Sequence, residues 1–164
     1  MPWWGWVLLA PVAALAAFTA FFAVVGATSI PSVGWHVGFN GVVRPVRIHY
    51  RHWLPRLLQV WGIAMYPHVY LKGELWPKGK PWDGKTPTAQ AWQVGHELWH
   101  CWQAIEWGWL RYRATALWQI VRYWRHNSRP MEQEANARQA AITLGTDPIV
   151  EAPRLAAFDN AGMP

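Results

Sequence analysis

The sequence predicts a mainly α-helical protein with an N-terminal transmembrane helix and a small α, or α+β, domain behind it. Three observations lead to this fold class. A long stretch near the N-terminus has no ionisable side chain, two later stretches carry helix start and stop signals, and the first of these contains H-E-x-x-H. The 164 residues leave room for one compact domain besides the anchor.

Composition narrows the classes of protein that fit. Fifteen tryptophans and an apolar content of 52% exclude a disordered chain. Cys101 is the single cysteine, so the core, a metal or the bilayer must hold the fold without a disulfide. The net charge of +6 favours an anionic partner, either phospholipid or nucleic acid. We expect membrane lipid, because no recognised nucleic-acid motif is present and the tryptophans accompany an apolar span.

Residues 1–30 are predicted to form a transmembrane anchor. The stretch from Trp3 to Ile30 is uncharged, and it is long enough to cross a bilayer core, which requires about 20 such residues in a helix. Trp3, Trp4 and Trp6 would lie in the interfacial aromatic belt. A cleaved signal peptide is the alternative, since the small residues at 25–27 suit signal peptidase. The stretch lacks a basic start and exceeds the usual apolar length of about 7 to 15 residues, which favours the anchor.

Four arginines follow the predicted span, at positions 44, 47, 51 and 56. The positive-inside rule therefore predicts a single-pass protein whose C-terminal domain lies in the cytoplasm. The same arginines, interleaved with Tyr50, Trp53 and Trp61, could instead lie along the headgroups of whichever leaflet they meet.

Residues 31–86 are predicted to be a basic, aromatic juxtamembrane region. Val42 to Tyr50 is typical of an extended segment, although Pro45 favours an edge strand or no strand. Leu54 to Ala64 is predicted to be a short helix. His68 to Leu71 alternates as a brief strand does, and it is either an edge strand for pairing with an extended substrate peptide or a strand in ordinary sheet packing. A loop rich in Gly, Pro, Lys and Trp follows, to residue 85.

Residues 87–145 are predicted to form a helical domain, and residues 146–164 a C-terminal tail. Thr86 before Pro87 is a helix start, and Gly108 and Gly145 are helix stops. The predicted helices are Pro87–Trp107, Trp109–Arg125 and Pro130–Leu144, with a turn at 126–129 between the last two.

The first of these helices contains His96-Glu97-Leu98-Trp99-His100. Histidines four residues apart share a helix face, so both imidazoles can converge on one Zn²⁺ with Glu97 beside it. Gln93, Gln103 and Trp107 share this face, so the alternative is a solvated polar face that carries two histidines by accident. The opposite face is an apolar stripe that consists of Ala91, Val94, Leu98, Cys101, Trp102 and Ile105. Cys101 is therefore expected to be a small core residue.

A catalytic zinc commonly has three protein ligands, and Glu132 on the third helix is the candidate for the third. Glu134 is the alternative ligand, but two residues along a helix it points to nearly the opposite side. Both glutamates could also be an ordinary charged first turn, favoured by the helix dipole.

The pairing of H-E-x-x-H with a later E-x-x-A-N at 132–136 resembles the gluzincin pattern, in which the later helix carries E-x-x-x-D. Over about Ala89 to Leu144 the chain is most similar to the membrane endopeptidases that process prenylated proteins and to their bacterial heat-shock relatives. The resemblance implies a zincin-like domain and a zinc metallopeptidase, a hydrolase acting on a peptide or protein substrate. It makes His96, His100 and Glu132 the ligands and Glu97 the general base.

Asn136 departs from the family's aspartate, which hydrogen-bonds a ligand histidine from outside the metal's own shell. An asparagine oxygen can still accept that N–H but carries no charge. A second electrophile for the oxyanion could come from His126, Tyr123 or Tyr112. The alternative function is a non-catalytic, basic, Trp-rich membrane protein whose metal site is structural or vestigial.

Overall fold

A computed structural model describes residues 3–29, 33–73, 89–123 and 129–151. The described part is mainly helical, with one small sheet and one N-terminal apolar helix. Its elements in chain order are α1 Trp3–Thr28, β1 Val33–Phe39, β2 Val42–His49, α2 Trp53–Leu57, β3 Gly62–Met65, β4 His68–Leu71, α3 Ala89–Trp107, α4 Trp109–Arg122 and α5 Pro130–Leu144.

Helix α1 is long and apolar enough to cross a membrane, by length and composition. Its segment Ala10–Thr28 has a mean hydropathy of 2.0, and 11% of it is buried inside the protein. Within the segment from Ala10 onward, the domain covers the later turns, where Phe22 and Val25 are buried and Phe18 packs beside them. The side chains of the three early tryptophans, expected in an aromatic belt, lie outside the described part.

The four strands form one sheet in the order β1-β2-β4-β3. Strands β1 and β2 are an antiparallel hairpin whose turn residues Asn40 and Gly41 have φ values of 51° and 77°. Positive φ at both central residues belongs to the tight turn that matches strand twist, which explains the Asn-Gly pair. Strand β4 runs parallel to β2 and antiparallel to β3, so β3 is the free edge on that side.

Two sequence predictions in this region are wrong. The helix expected over Leu54 to Ala64 ends at Leu57, because Gly62 to Met65 instead pair with β4 and bury Ala64 and Met65. Strand β4 is present as predicted over His68–Leu71, but it lies inside the sheet and cannot be the edge that receives a peptide. Long-range pairing decides both outcomes, and local sequence does not report it.

Pro45 is tolerated in a strand that has neighbours on both sides. The N–H of Arg47 donates to the carbonyl of Pro67, on the β4 side. Because strand residues two apart point their backbone groups the same way, the missing N–H of Pro45 also faces that side. Strand β4 begins opposite Arg47, so no described strand lies against Pro45 there. The predicted edge character holds locally, although β2 as a whole is central.

The helical predictions agree closely with the structure. Helix α3 ends at Trp107 before Gly108, whose φ is +78°, and α5 ends before Gly145 in the left-handed conformation. The start signal at Thr86 and Pro87 lies outside the described residues. Helix α4 begins at Trp109 as predicted but ends at Arg122, before the predicted Arg125, because Tyr123 is already extended.

Helix α3 is buried on both faces, which makes the alternative of a solvated polar face wrong. Its predicted apolar stripe packs on the sheet, with Leu98 and Cys101 both fully buried. The opposite face lies against α5, and His96 and His100 are only 6% and 5% exposed. Strands and helices share one core, since Val46 of β2, Leu98 of α3 and Ile142 of α5 belong to the same cluster.

Gly95 allows α3 to pack closely against α5. A Cβ at this position would stand 2.6 Å from the backbone oxygen of Gln139 and 2.7 Å from Thr143 Oγ1. Those distances are below van der Waals contact, and the backbone oxygen cannot move without the helix that carries it. A side chain at residue 95 therefore pushes α5 away from the histidines of α3.

We expect Gly95→Ala to lower the free energy of unfolding by about 1 to 3 kcal/mol, because overpacking outweighs the gain in helix propensity. Chemical denaturation in detergent micelles measures it. Gly73→Ala is the matched control, since nothing lies within 4 Å of a Cβ there. Equal stability of the two variants would show that α5 can retreat freely.

Candidate metal centre

Three side chains from two helices converge on one point. His96 and His100 come from successive turns of α3, and Glu132 comes from the first turn of α5. Glu132 Oε2 lies 3.0 Å from His96 Nε2 and 3.4 Å from His100 Nε2, and the two ring nitrogens are 3.2 Å apart. Tetrahedral ligands at roughly 2.0 to 2.1 Å from an ion stand about 3.3 Å from one another. The three atoms therefore have the spacing of a metal-ligand set.

The three residues can hold a metal ion, and the structure selects Glu132 over Glu134 as the carboxylate that faces the histidines. Both imidazoles present Nε2, which leaves each Nδ1 for an orienting partner. Two neutral imidazoles and one carboxylate suit a borderline divalent ion, and three protein ligands leave a position open.

Glu97 lies beside this cluster and is 2% exposed. Burial raises the pKa of its carboxyl, against the opposing pull of the two neighbouring histidines. Gln93, one turn earlier, donates from Nε2 to Glu97 Oε1 at 2.7 Å and fixes the orientation of the carboxylate. A desolvated carboxylate with a raised pKa is suited to proton transfer near neutral pH.

Strand β3 closes over Glu97 at Gly62. A Cβ added there would overlap Glu97 Oε1 and stand 2.8 Å from its Cδ. Glycine at position 62 therefore permits the edge strand to run directly past the carboxylate. Sequence reasoning placed this residue in a helix and gave it no role.

His100 is oriented by an amide that a carboxylate holds in turn. Its Nδ1 lies 2.8 Å from Oε1 of Gln103, and Gln103 Nε2 donates to Glu134 Oε2 at 2.6 Å. Gln103 is 2% exposed, so its amide is fixed by these two partners. We call Glu134, Gln103 and His100 the orienting relay. In it, the neutral amide oxygen of Gln103 accepts from His100 Nδ1–H, and the charged carboxylate of Glu134 holds that amide in place.

Burial lowers the pKa of His100, but the hydrogen bonds that its ring donates to Glu132 and Gln103 and the charges of Glu132 and Glu97 outweigh it, so the pKa is raised overall. A metal must displace a proton from this ring, so binding releases protons and weakens in acid.

The residues predicted to support the ligands or to stabilise the oxyanion do not join the metal-ligand set. Asn136 is exposed at the rim of the cavity, and the role expected of it at a ligand histidine falls to Gln103 at His100. Tyr112 is buried and lines the cavity, but its hydroxyl donates to the carbonyl of Ala64 at 3.2 Å. Tyr123 caps α4 and is not among the cavity-lining residues, and His126 lies outside the described residues.

The cavity beside the cluster has a volume of about 460 Å³. The cluster and Glu97 form one wall, and β3 forms another. The far side is apolar and includes Phe18 and Phe22 of α1, while Arg129 supplies a guanidinium. The centre is thus reached through a space that the membrane-spanning candidate helps to enclose.

Sequence reasoning missed the residues that support the centre. Gln93 and Gln103 were placed on the histidine face, which is the signal that could have found them, yet the partners of an amide depend on the tertiary fold. Gln119 of α4 was not singled out. Its Oε1 accepts from the backbone N–H of Met131 at 3.1 Å, which fixes the start of α5 one residue before Glu132.

No protein-family model, no curated protein and no solved structure matches this chain. The chemistry of the centre follows from its own residues: two buried imidazoles, one carboxylate within 3.4 Å of both, and a second buried carboxylate on the same helix turn.

Gln103→Ala is expected to weaken divalent-metal affinity about tenfold to a hundredfold, the usual cost of losing an orienting partner. Competition with a chromogenic chelator measures it. The double variant Gln103→Glu with Glu134→Gln is the control, because it keeps an acceptor for His100 and a donor for that acceptor. Unchanged metal affinity of Gln103→Ala would show that the relay does not orient His100 for metal binding.

Metal-free Glu97→Gln is expected to be more stable than the metal-free native protein at alkaline pH, with a difference that shrinks towards pH 5. Burial raises the pKa of Glu97 above its usual 4.5. The folded state therefore holds this proton more tightly than the unfolded chain, and native stability falls as pH rises through the folded pKa. Glutamine has no such loss. Parallel unfolding curves across the pH range would contradict the shift.

Proposed function

We propose that this protein is a membrane-anchored, zinc-dependent metalloendopeptidase with a zincin-like domain of the gluzincin type. The observation that carries the proposal is the meeting of Glu132 with the two histidines of H-E-x-x-H, 32 and 36 residues away in the chain, with Glu97 buried on the same turn. A polar face with accidental histidines does not account for a third ligand that arrives from another helix at ligand spacing.

Zinc fits this donor set better than the harder divalent ions. Imidazole nitrogens suit zinc, whereas magnesium and calcium prefer oxygen ligands in larger number. His96, His100 and Glu132 would hold the ion and leave a fourth position to water. Bound there, zinc would polarise a carbonyl and lower the pKa of a coordinated water towards 7.

Glu97 is the general base in this mechanism. Its carboxylate accepts a proton from the attacking water and later delivers it to the leaving amine. Gln93 fixes the orientation of the carboxylate, and β3 passes directly over Glu97 at Gly62, which keeps bulk water from that side. Arg129 lines the cavity and is the candidate to stabilise the developing oxyanion, because the hydroxyl proton of Tyr112 is donated to Ala64.

The substrate is an extended peptide that pairs with the free edge of β3. The carbonyl of Trp61 accepts from Lys72 on the β4 side, so the backbone groups of Gly62 and Ala64 point to the open side. Tyr112 takes the carbonyl of Ala64, which supports this outward direction. Main-chain pairing at Gly62 would lay a scissile bond next to Glu97.

The packing of α1 supports an uncleaved anchor. Val25, at the start of the small-residue site that a signal peptidase would use, is 5% exposed and lies in a core cluster with Phe22 and Met65. Cleavage would remove part of a packed core. The cytoplasmic placement of the domain rests on the arginines that follow α1 and belongs to the same proposal.

Zinc content and peptide hydrolysis of one detergent-purified set of variants test the proposal. The native protein is expected to hold one zinc per chain. Glu132→Ala should lose the metal and the activity. Glu97→Gln should keep the metal and lose about a hundredfold or more in kcat, because a positioned base contributes about 10² to 10⁴. Glu106→Ala, an exposed carboxylate on the same helix, is the control for both measurements.

A metal site that is structural gives a different pattern. Zinc removal would then unfold the protein, and Glu97→Gln would change no function. A folded native protein without zinc would overturn the metallopeptidase assignment altogether.

A further inference from the structure

Helix α4 is apolar on the face that the protein does not cover. Tyr112 and Gln119 are buried and mark the inward face. With 100° per residue, the outward face is the stripe of residues 110, 114, 117, 118 and 121. Leu110, Trp118 and Val121 in this stripe are 52%, 62% and 74% exposed. A helix on a water-facing domain surface would carry polar residues there, so the pattern is inverted.

A second exposed apolar group lies across the cavity mouth from α4. It consists of Leu57 and Leu58 at the end of α2 and Trp61 before β3, which are 67%, 53% and 72% exposed. Leu58 and Trp61 line the same cavity as Ile120 of α4 and Phe18 of α1. Ile120 is 44% exposed and lies beside the stripe, so this side of α4 and the second group border one opening, and we name the stripe and the second group together the apolar rim.

The helices α2 and α4, which carry most of the apolar rim, both adjoin α1. Phe21 of α1 meets Trp53 of α2 edge-to-face at 6.5 Å, and Ala116 of α4 packs in the cluster that holds Phe22. The residues of α1 before Phe18, from Ala10 onward, are exposed apart from the half-buried Leu15. Phe18 follows this exposed stretch and lines the cavity with Leu58 and Trp61, so the exposed stretch of α1 leaves the domain at the cavity mouth.

We propose that the apolar rim lies in the interface of the same bilayer that α1 enters, with α4 in the membrane plane. An in-plane helix buries its apolar face about 5 to 10 Å into the boundary between headgroups and acyl chains. Arg111 and Arg122 are exposed beside the α4 stripe, and Arg56 is exposed on α2. These cations are at the border of the rim, where anionic headgroups would be, and exposed tryptophans suit the same depth.

The bilayer is favoured over a second protein copy by this distribution of charge and by continuity with α1. A self-associating face would place the arginines of one copy against those of the other, whereas anionic lipid complements them. The cavity mouth would open at the bilayer surface. The docking does not depend on the metal or on any hydrolytic activity.

Site-directed fluorescence on the full chain tests the docking. An environment-sensitive label is placed at Val121→Cys and, separately, at Leu110→Cys; the native Cys101 is fully buried and escapes labelling. Val43→Cys is the matched control, a 63% exposed valine near the hairpin turn, at the opposite end of β2 from His49 and α1. Each protein is reconstituted in vesicles of phosphatidylcholine and phosphatidylglycerol.

Labels at residues 110 and 121 are expected to be quenched by lipids with a nitroxide on the acyl chain. Iodide in the aqueous phase should quench them several-fold less than it quenches the label at residue 43. Equal iodide quenching at all three positions would overturn the proposal. Protection that disappears when the protein is diluted with lipid would overturn it as well, by identifying a second copy as the cover.

Discussion

The close contact of α3 with α5 is the constraint on which the centre depends. Two ligands come from α3 and the third from α5, and they reach ligand spacing only because the helices approach to the distance that Gly95 allows. The sheet presses α3 from the other side, and Gln119 of α4 fixes the first turn of α5. A centre of this kind is assembled by packing, and its ligands are preorganised before an ion arrives.

Much of the helical layout could be predicted because its signals are local. Proline at 130 and glycine at 108 and 145 mark helix ends by their own backbone preferences, and histidines four residues apart share a face in any helix. Helix geometry also shows that only one of Glu132 and Glu134 can face the histidines, although the preference for Glu132 came from the family pattern at 132–136. These features need no knowledge of what packs where.

The sheet and the supporting amides could not be predicted for the opposite reason. Strand β3 exists because β4 pairs with it, and the run from Leu54 has no alternation that separates it from a helix. The oxygen of Gln103 meets His100 only once α3 has formed, and its nitrogen meets Glu134 only after α5 has docked. The family's aspartate is replaced here by Asn136, but Glu134, two residues earlier, supports His100 through the amide of Gln103.

The junction of α1 with the sheet is made of packed side chains. A Cβ at Gly26 would stand 3.3 Å from His68 Nε2, Ser29 Oγ lies 2.9 Å from His52 Nε2, and His49 and His68 stack at 5.1 Å. A domain seated this way on its anchor does not swing as it would on a flexible tether. If α1 spans the bilayer and the centre is catalytic as proposed, the centre stays at one height above the membrane core, and the distance of a bond from the bilayer becomes a criterion of selection. The proposed peptidase would then select a bond by its position along a tethered chain as well as by the residues that flank it.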